Sequence, residues 1–291
     1  MTLELAAGGW RATLLPGLGG AIGSLSFRGC DVLRPTPSGT ADVLATSCFP
    51  LFPYANRVAN GRFIWAGDAV QLPVLPGFAP HAIHGVGWQR AWQVNGVNDS
   101  AAQLRLDAGG DGGWPWRFVA EQDITLTDAG LRIDLRLTNC DDNRVPAGLG
   151  LHPYFPLGAG GRLSLTAKKV WLSDETLIPS TLADASAIYD FAQGERLPAR
   201  TLIDHCYEGW DGVAELTIAE RSVTVKADTG RVHIYAPQAG GFCCVEPVTH
   251  RPDALNARPD EPGMPVIEPG AQTSLRMEIS AVNTTASQPA Q

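Results

Sequence analysis

The stretch Leu131-Arg132-Ile133-Asp134-Leu135-Arg136-Leu137-Thr138 decides the fold, because four aliphatic residues alternate strictly with four polar ones. A period of two buries one face of an extended segment and wets the other, the pattern of antiparallel sheets. The same period runs through Phe118, Ala120, Gln122, Ile124 and Leu126, and again through Leu275, Met277 and Ile279. The runs R-L-S-L-T-A-K-K-V-W-L (162–172), V-A-E-L-T-I-A-E (213–220) and S-V-T-V-K-A (222–227) are also β-like. The 32 Gly and 22 Pro fall largely between such runs, as turn chemistry requires. Only Glu195 to Glu208 has room for a helical turn or two, and Pro198 interrupts it. The expected fold class is therefore all-β, a large antiparallel β-sandwich. Nothing between Leu3 and Ala281 reads as a linker, and no period of roughly 20–50 residues repeats. One domain over residues 1–282 is expected, with the small and polar residues 283–291 as a disordered tail.

Composition narrows the function. A chain of 291 residues that is 44% hydrophobic and 18% charged can bury a sizeable core. Its net charge of -8 and its scattered 22 Lys and Arg argue against nucleic acid as a partner, since binding a phosphate backbone needs a clustered cationic footprint. No run approaches the roughly 18 apolar residues of a membrane helix, so no membrane association is expected. The start, M-T-L-E-L-A-A-G-G-W, lacks the basic and apolar regions of a signal peptide, which makes the cytoplasm the default compartment. Cys30, Cys48, Cys140, Cys206, Cys243 and Cys244 show no metal-ligand spacing, and free buried thiols are the expectation.

Four polar clusters interrupt the β pattern. They are F-P-L-F-P-Y-A-N-R-V-A-N-G-R-F (49–63) with Asn56 and Arg57, H-A-I-H-G-V-G-W (81–88) with His81 and His84, L-G-L-H-P-Y-F-P-L (149–157) with His152, and C-C-V-E-P-V-T-H-R-P (243–252) with Glu246 and His250. A lesser one, L-I-D-H-C-Y-E-G-W-D-G (202–212), offers Asp204 and Asp211. Glu246 follows an apolar run and precedes Pro247, which places it where a buried strand ends. A carboxylate there must have a partner, either an arginine in a structural ion pair or a reacting group. His152 repeats the design before Pro153 and is open to a hydrogen-bonded core role or a catalytic one. Arg57 could pair with a carboxylate or with sugar hydroxyls. Trp88, Tyr154 and Trp210 are available either as core residues or as flat apolar partners for sugar C–H groups.

Five of these segments also stand in a recognisable order. P-Y-A-N-R-V-A-N-G-R-F, H-G-V-G-W, L-H-P-Y-F-P-L, D-H-C-Y and V-E-P-V-T resemble the successive signature segments of the aldose 1-epimerase (galactose mutarotase) family. The looser resemblance spans about Leu3 to Ala281. It implies a galactose mutarotase-like supersandwich and cofactor-free interconversion of the α and β anomers of a free aldose. It further implies that Glu246 is the base and His152 the acid, with Asn56, Arg57, His84 and Asp204 as substrate-binding residues and Asp211 as the alternative to Asp204. No metal or cofactor is implied, and a monosaccharide is the implied partner of a monomer or homodimer. Two departures bear on the choice of sugar: Pro156 stands where the family commonly has asparagine, and His81 where an asparagine often precedes the first histidine motif.

The implied chemistry runs through the open-chain aldehyde. A base takes the O1 proton while an acid protonates the ring oxygen. A free glutamate, with a pKa of about 4.3, would be ionised near neutrality, and a histidine near 6.5 could be partly protonated. The alternatives are an epimerase for a phosphorylated hexose, a glycoside hydrolase pairing Glu246 with Asp204, and a non-catalytic carbohydrate-binding protein.

Overall fold

The computed structural model describes residues 1–199, 201–218 and 221–283. The alternating stretch Leu131–Thr138 lies in the strand Gly130–Asn139, near the centre of a nine-stranded antiparallel sheet. In order across that sheet run Gln93–Val97, Ala101–Ala108, Phe118–Thr127, Gly130–Asn139, Gln272–Asn283, Arg221–Ala227, Val213–Ile218, Gly161–Leu165 and Glu195–Leu197. The alternation holds residue by residue: Leu131, Ile133, Leu135 and Leu137 are buried, as are Leu275, Met277 and Ile279. Gln122, the polar residue in the inward set of its strand, is buried and donates from Nε2 to the Gly20 carbonyl at 3.1 Å. That bond offsets the desolvation of an amide that a core position would otherwise leave unpaired.

A six-stranded antiparallel sheet supplies the second layer, in the order Tyr154–Pro156, Phe242–Pro247, Arg231–Ala236, Ile203–Glu208, Lys169–Ser173 and Pro179–Asp184. Its inward residues Ile203, Val232, Ile234, Cys243 and Val245 join Leu131, Leu135 and Met277 of the larger sheet in one apolar core. A four-stranded sheet of Leu3–Ala7, Trp10–Leu15, Ala21–Phe27 and Cys30–Asp31 extends this core through Leu5, Trp10, Leu14 and Leu25. The all-β, antiparallel expectation is met.

Several local expectations change. Residues 162–172 do not form one strand: Gly161–Leu165 belongs to the larger sheet and Lys169–Ser173 to the smaller, so the chain switches layers at Thr166–Lys168. Among the described residues Glu195 to Glu208 holds no helical turn but two strands, Glu195–Leu197 and Ile203–Glu208, while a short 3-10 turn precedes them at Phe191–Gln193. All six cysteines are free, yet Cys30 and Cys140 are exposed and only Cys48, Cys206, Cys243 and Cys244 are buried. Asn283 closes the strand Gln272–Asn283, and the remainder of the expected tail, like residues 219 and 220, lies outside the described residues. Among the described residues no helix is long and apolar enough to cross a membrane.

Candidate active site

Register sets the floor of the site. In the smaller sheet Asp204 pairs with Tyr235, Tyr235 with Cys244, Cys244 with Tyr154, and His233 with Glu246. Residues directly opposite in an antiparallel pair share a face, and so do residues two apart along one strand. Asp204, His233, Tyr235, Cys244, Glu246 and Tyr154 therefore lie on the face turned away from the main core. A second apolar cluster covers part of that face, with Phe49, Ile83, Trp88 and Trp171 packed near Tyr154 and Cys244.

Two loops close over this floor, each held by a two-residue ladder. Arg57–Val58 pairs with Ala82–Ile83, and Pro50–Leu51 pairs with Gly150–Leu151, which delivers His152. Asn56 and His84 both have φ of 58°, and Gly85 follows at 67°. The left-handed region costs a non-glycine residue roughly 1–2 kcal/mol. Here it is offset by reciprocal bonds, from the His84 amide to the Asn56 carbonyl and from the Asn56 amide to His84 Nδ1, both at 3.0 Å. Only glycine fits at 85, because a Cβ there would lie 1.9 Å from the Phe52 carbonyl oxygen.

The result is a cavity of about 230 Å³ lined by Asn56, Arg57, His84, His152, Asp204 and Glu246 together with His233, Arg34 and several aromatic residues. It is smaller than the roughly 300–1,000 Å³ of drug-sized sites, which suits one small ligand. His152 Nε2 lies 3.4 Å from Glu246 Oε1, and both residues are buried. Phe49 and Tyr154 stack on the imidazole with centroid separations of 4.7 and 4.6 Å. His152 Nδ1 and Glu246 Oε2 have no hydrogen-bond partner among the described residues.

Burial and the Asp204 charge push the Glu246 carboxyl well above the ordinary carboxylate range, against the pull of Arg57. Burial, then His233 and Arg34, push His152 down to about 3. Burial thus works against the expected pairing of an ionised glutamate with a partly protonated histidine. Low polarity favours a neutral carboxyl and a neutral imidazole over the ion pair.

Asp204 is the counterweight. Burial alone would raise its carboxyl, but the hydrogen bond and charge of His233 and the charge of Arg57 hold it below its ordinary value. His233 Nε2 lies 2.7 Å from Asp204 Oδ1, and Arg57 Nη1 lies 3.2 Å from Oδ2. A carboxylate can only accept, so Nε2 of His233 must carry the proton. The Asn56 Nδ2, 3.2 Å from the same nitrogen, is then left as a donor, while Asn56 Oδ1 accepts from the Arg57 amide at 2.8 Å. His84 resolves similarly: its Nδ1 accepts a backbone proton, so Nε2 is the donor. Burial, followed by the charges of His152, Arg57 and His233, keeps its pKa well below 6.5 and the ring neutral.

Other expected candidates lie elsewhere. Asp211 is exposed and accepts from the Val213 amide in a turn. Trp210 packs in the main core and donates to the Val213 carbonyl. Trp88 sits behind the cleft, edge-on to His84. His250 accepts from the Ala55 amide, and His81 from the Asn60 amide. His233 and Arg34 escaped sequence reasoning. The signal for His233 was present as a histidine at an alternating position of R-V-H-I-Y-A (231–236), but its meaning depends on long-range pairing with Glu246. Among the described residues His152, Cys244 and Glu246 bring ligand atoms within 4.8 Å of one another. Burial and Glu246 push the Cys244 thiol well up, which disfavours the thiolate a soft metal requires.

Comparison with known proteins bears on the family and the fold. The aldose 1-epimerase family model matches residues 1–280. The uncharacterized protein YphB of Escherichia coli K12 is 30% identical over 263 residues, 85% of this chain and 88% of its own. The aldose 1-epimerase of the same organism is 29% identical over 163 residues, 52% of this chain and 46% of that one. Among solved structures, a candidate aldose 1-epimerase from Escherichia coli K12 superposes with a TM-score of 0.88 at 27% identity, over 97% of this chain and 99% of that one. A galactose mutarotase-like protein from Clostridium acetobutylicum shares the fold at 18% identity, with a TM-score of 0.84 over 97% of this chain and 95% of that one. With a family match across nearly its whole length, this chain belongs to the aldose 1-epimerase family.

Proposed function

We propose that the chain is a cofactor-independent mutarotase that interconverts the α and β anomers of a free monosaccharide, with Glu246 and His152 as its acid–base pair. The observation that carries this reading is the 3.4 Å between His152 Nε2 and Glu246 Oε1. O1 and the ring oxygen are bonded to the same carbon, so an acid and a base acting on them must be neighbours. The two carboxylates of a glycoside hydrolase stand roughly 5–9.5 Å apart, and Asp204 is already engaged by Arg57 and His233.

The pair works with one proton between its two members. With Glu246 ionised and His152 protonated, Glu246 takes the O1 proton and His152 donates to the ring oxygen, opening the ring. Rotation about C1–C2 then turns the other face of the aldehyde to the new hydroxyl. With Glu246 protonated and His152 neutral, the transfers run backwards and the ring closes. Burial favours this second state. Hydroxyl donors of a bound sugar, together with Arg57, stabilise the Glu246 carboxylate and so populate the first. Arg57, His84 Nε2 and the Asn56 amide donate to sugar hydroxyls, and Asp204 accepts from one.

Polarimetry on a panel of freshly dissolved aldoses tests the reading. The native chain should accelerate equilibration of at least one sugar, and Glu246→Gln should lower kcat by roughly 100- to 10,000-fold. Near-normal equilibration by the variant would refute the assignment.

A further inference from the structure

The cleft contains a cation that this mechanism does not use. Arg34 lines the cavity beside Leu44, Tyr154 and Phe242. Its guanidinium carbon lies 3.8 Å from the Tyr154 ring centroid and 4.9 Å from that of Phe242. Nη2 is spent on the carbonyls of Leu44 and Thr46, at 2.8 and 3.0 Å. Nε is buried without a partner. Among the described residues no carboxylate comes within 4.0 Å of the guanidinium, and Nη1 has no hydrogen bond. The other arginine of the cleft, Arg57, is by contrast neutralised by Asp204 at 3.2 Å. An arginine fixed by two carbonyls and two aromatic rings, with its charge uncompensated, is organised to meet an anion.

Its position says which part of a sugar it would meet. Tyr154 touches both Arg34 and His152, at 3.8 and 4.6 Å. His152 is the donor to the ring oxygen, and the exocyclic carbon of a hexose is borne on the ring carbon next to that oxygen. Arg34 stands one aromatic ring beyond His152. We propose that Arg34 is the anion-recognising residue of the cleft, and that the preferred substrate is an aldose whose exocyclic carbon is a carboxylate, a hexuronic acid. This rests on the mutarotase reading above. One uncompensated positive charge matches a singly charged carboxylate, whereas a phosphate dianion calls for more than one cation.

Anomer exchange followed by NMR for a hexuronate, the parent neutral hexose and the hexose 6-phosphate tests the proposal. The native chain should show kcat/KM for the hexuronate about 10- to 100-fold above the neutral hexose, the scale of one hydrogen bond to a charged group. Arg34→Gln should bring that ratio down toward one, chiefly through KM, while Arg34→Lys retains part of it. A native ratio near one, a ratio unchanged in Arg34→Gln, or a higher value for the 6-phosphate would each overturn it. If Arg34→Gln loses the native circular dichroism spectrum, Arg34→Lys decides: an unchanged ratio there, despite the lost planar contact, counts against the proposal. If the native chain accelerates none of the sugars, the mutarotase reading itself fails. Calorimetric titration then judges Arg34 alone: tighter binding of hexuronate than hexose, abolished in Arg34→Gln, supports the anion site, and equal binding removes it.

Discussion

The outer face of the nine-stranded sheet and the cleft face of the six-stranded sheet both carry charge, but they treat it differently. On the first, Asp123 and Asp134 stand directly opposite each other, a like-charge pair that should repel. Arg136 lies 2.6 Å from Asp123, and Arg132 and Arg276 lie 2.9 and 2.6 Å from Asp134. These groups are hydrated and matched, so each pair contributes about 1 kcal/mol at most. On the cleft face the ionisable groups are few, buried and incompletely matched: His152 Nδ1, His233 Nδ1 and Glu246 Oε2 have no partner among the described residues. Balanced charge on a wet sheet serves solubility. Unbalanced charge in a dry cleft persists only where a ligand completes it, and it marks where chemistry belongs.

The contrast can be broken most decisively by pH. With His152 pushed down to about 3 and Glu246 pushed up, the form carrying one proton per pair spans a wider pH range than free groups would allow. On the acid side activity is lost only as His152 gains a second proton for the pair. On the alkaline side it is lost as Glu246 gives up the last one. The bell in kcat/KM should therefore have its acid flank below about 4.3, the value of a free glutamate, and an alkaline flank set by the raised Glu246 carboxyl and not by a free imidazole at about 6.5, falling tenfold per pH unit beyond each flank. Flanks at those two unperturbed values would show that burial does not govern the pair.

A smaller effect concerns stability. A carboxyl whose folded pKa is raised binds its proton more tightly in the native state. Its contribution to stability is thus fully present below about 4.3 and is lost as pH rises through the folded value. Glu246→Gln should raise Tm by about 1–4 °C at pH 7 while leaving it little changed at pH 4. A scanning-calorimetry result of equal destabilisation at both pH values would mean that Glu246 holds the fold together. The smallest effect belongs to the other sheet. Asp134→Asn should change stability by about 1 kcal/mol or less and leave kcat untouched, and any loss of activity would tie the outer face to the cleft.

The same contrast explains what could be read from the sequence. Strands with one wet face announce themselves, as Leu131 to Leu137 do. The six-stranded sheet is covered on both faces over much of its area, so Phe242–Pro247 runs F-C-C-V-E-P with no clear alternation, and five of its six residues are buried. Ile203–Glu208, with four of its six residues buried, lacks a clear alternation for the same reason, so its sequence does not distinguish a strand from a helical turn. Glu246, His152, Asn56, Arg57, His84 and Asp204 were found because they lie in ordered local motifs, and the structure gathers all six around one cavity. His233 and Arg34 belong to no such motif. The strand partners of His233, Glu246 and Cys206, lie 13 and 27 residues away along the chain, and Arg34 meets Tyr154 across 120 residues, relations that only a folded chain contains. Trp210 takes the core role, one of the two left open by the sequence.

The distribution of the thiols has a use outside catalysis. Cys30 ends the small N-terminal sheet and Cys140 follows a long strand of the large one; both are exposed, and neither lines the cleft. The other four thiols are buried, with the protonated form favoured by their surroundings. A mild maleimide reagent would therefore find two handles, neither of them in the lining of the cavity. The protein could be tethered to a bead or electrode, or given a fluorescent label, with its cleft left open to solution.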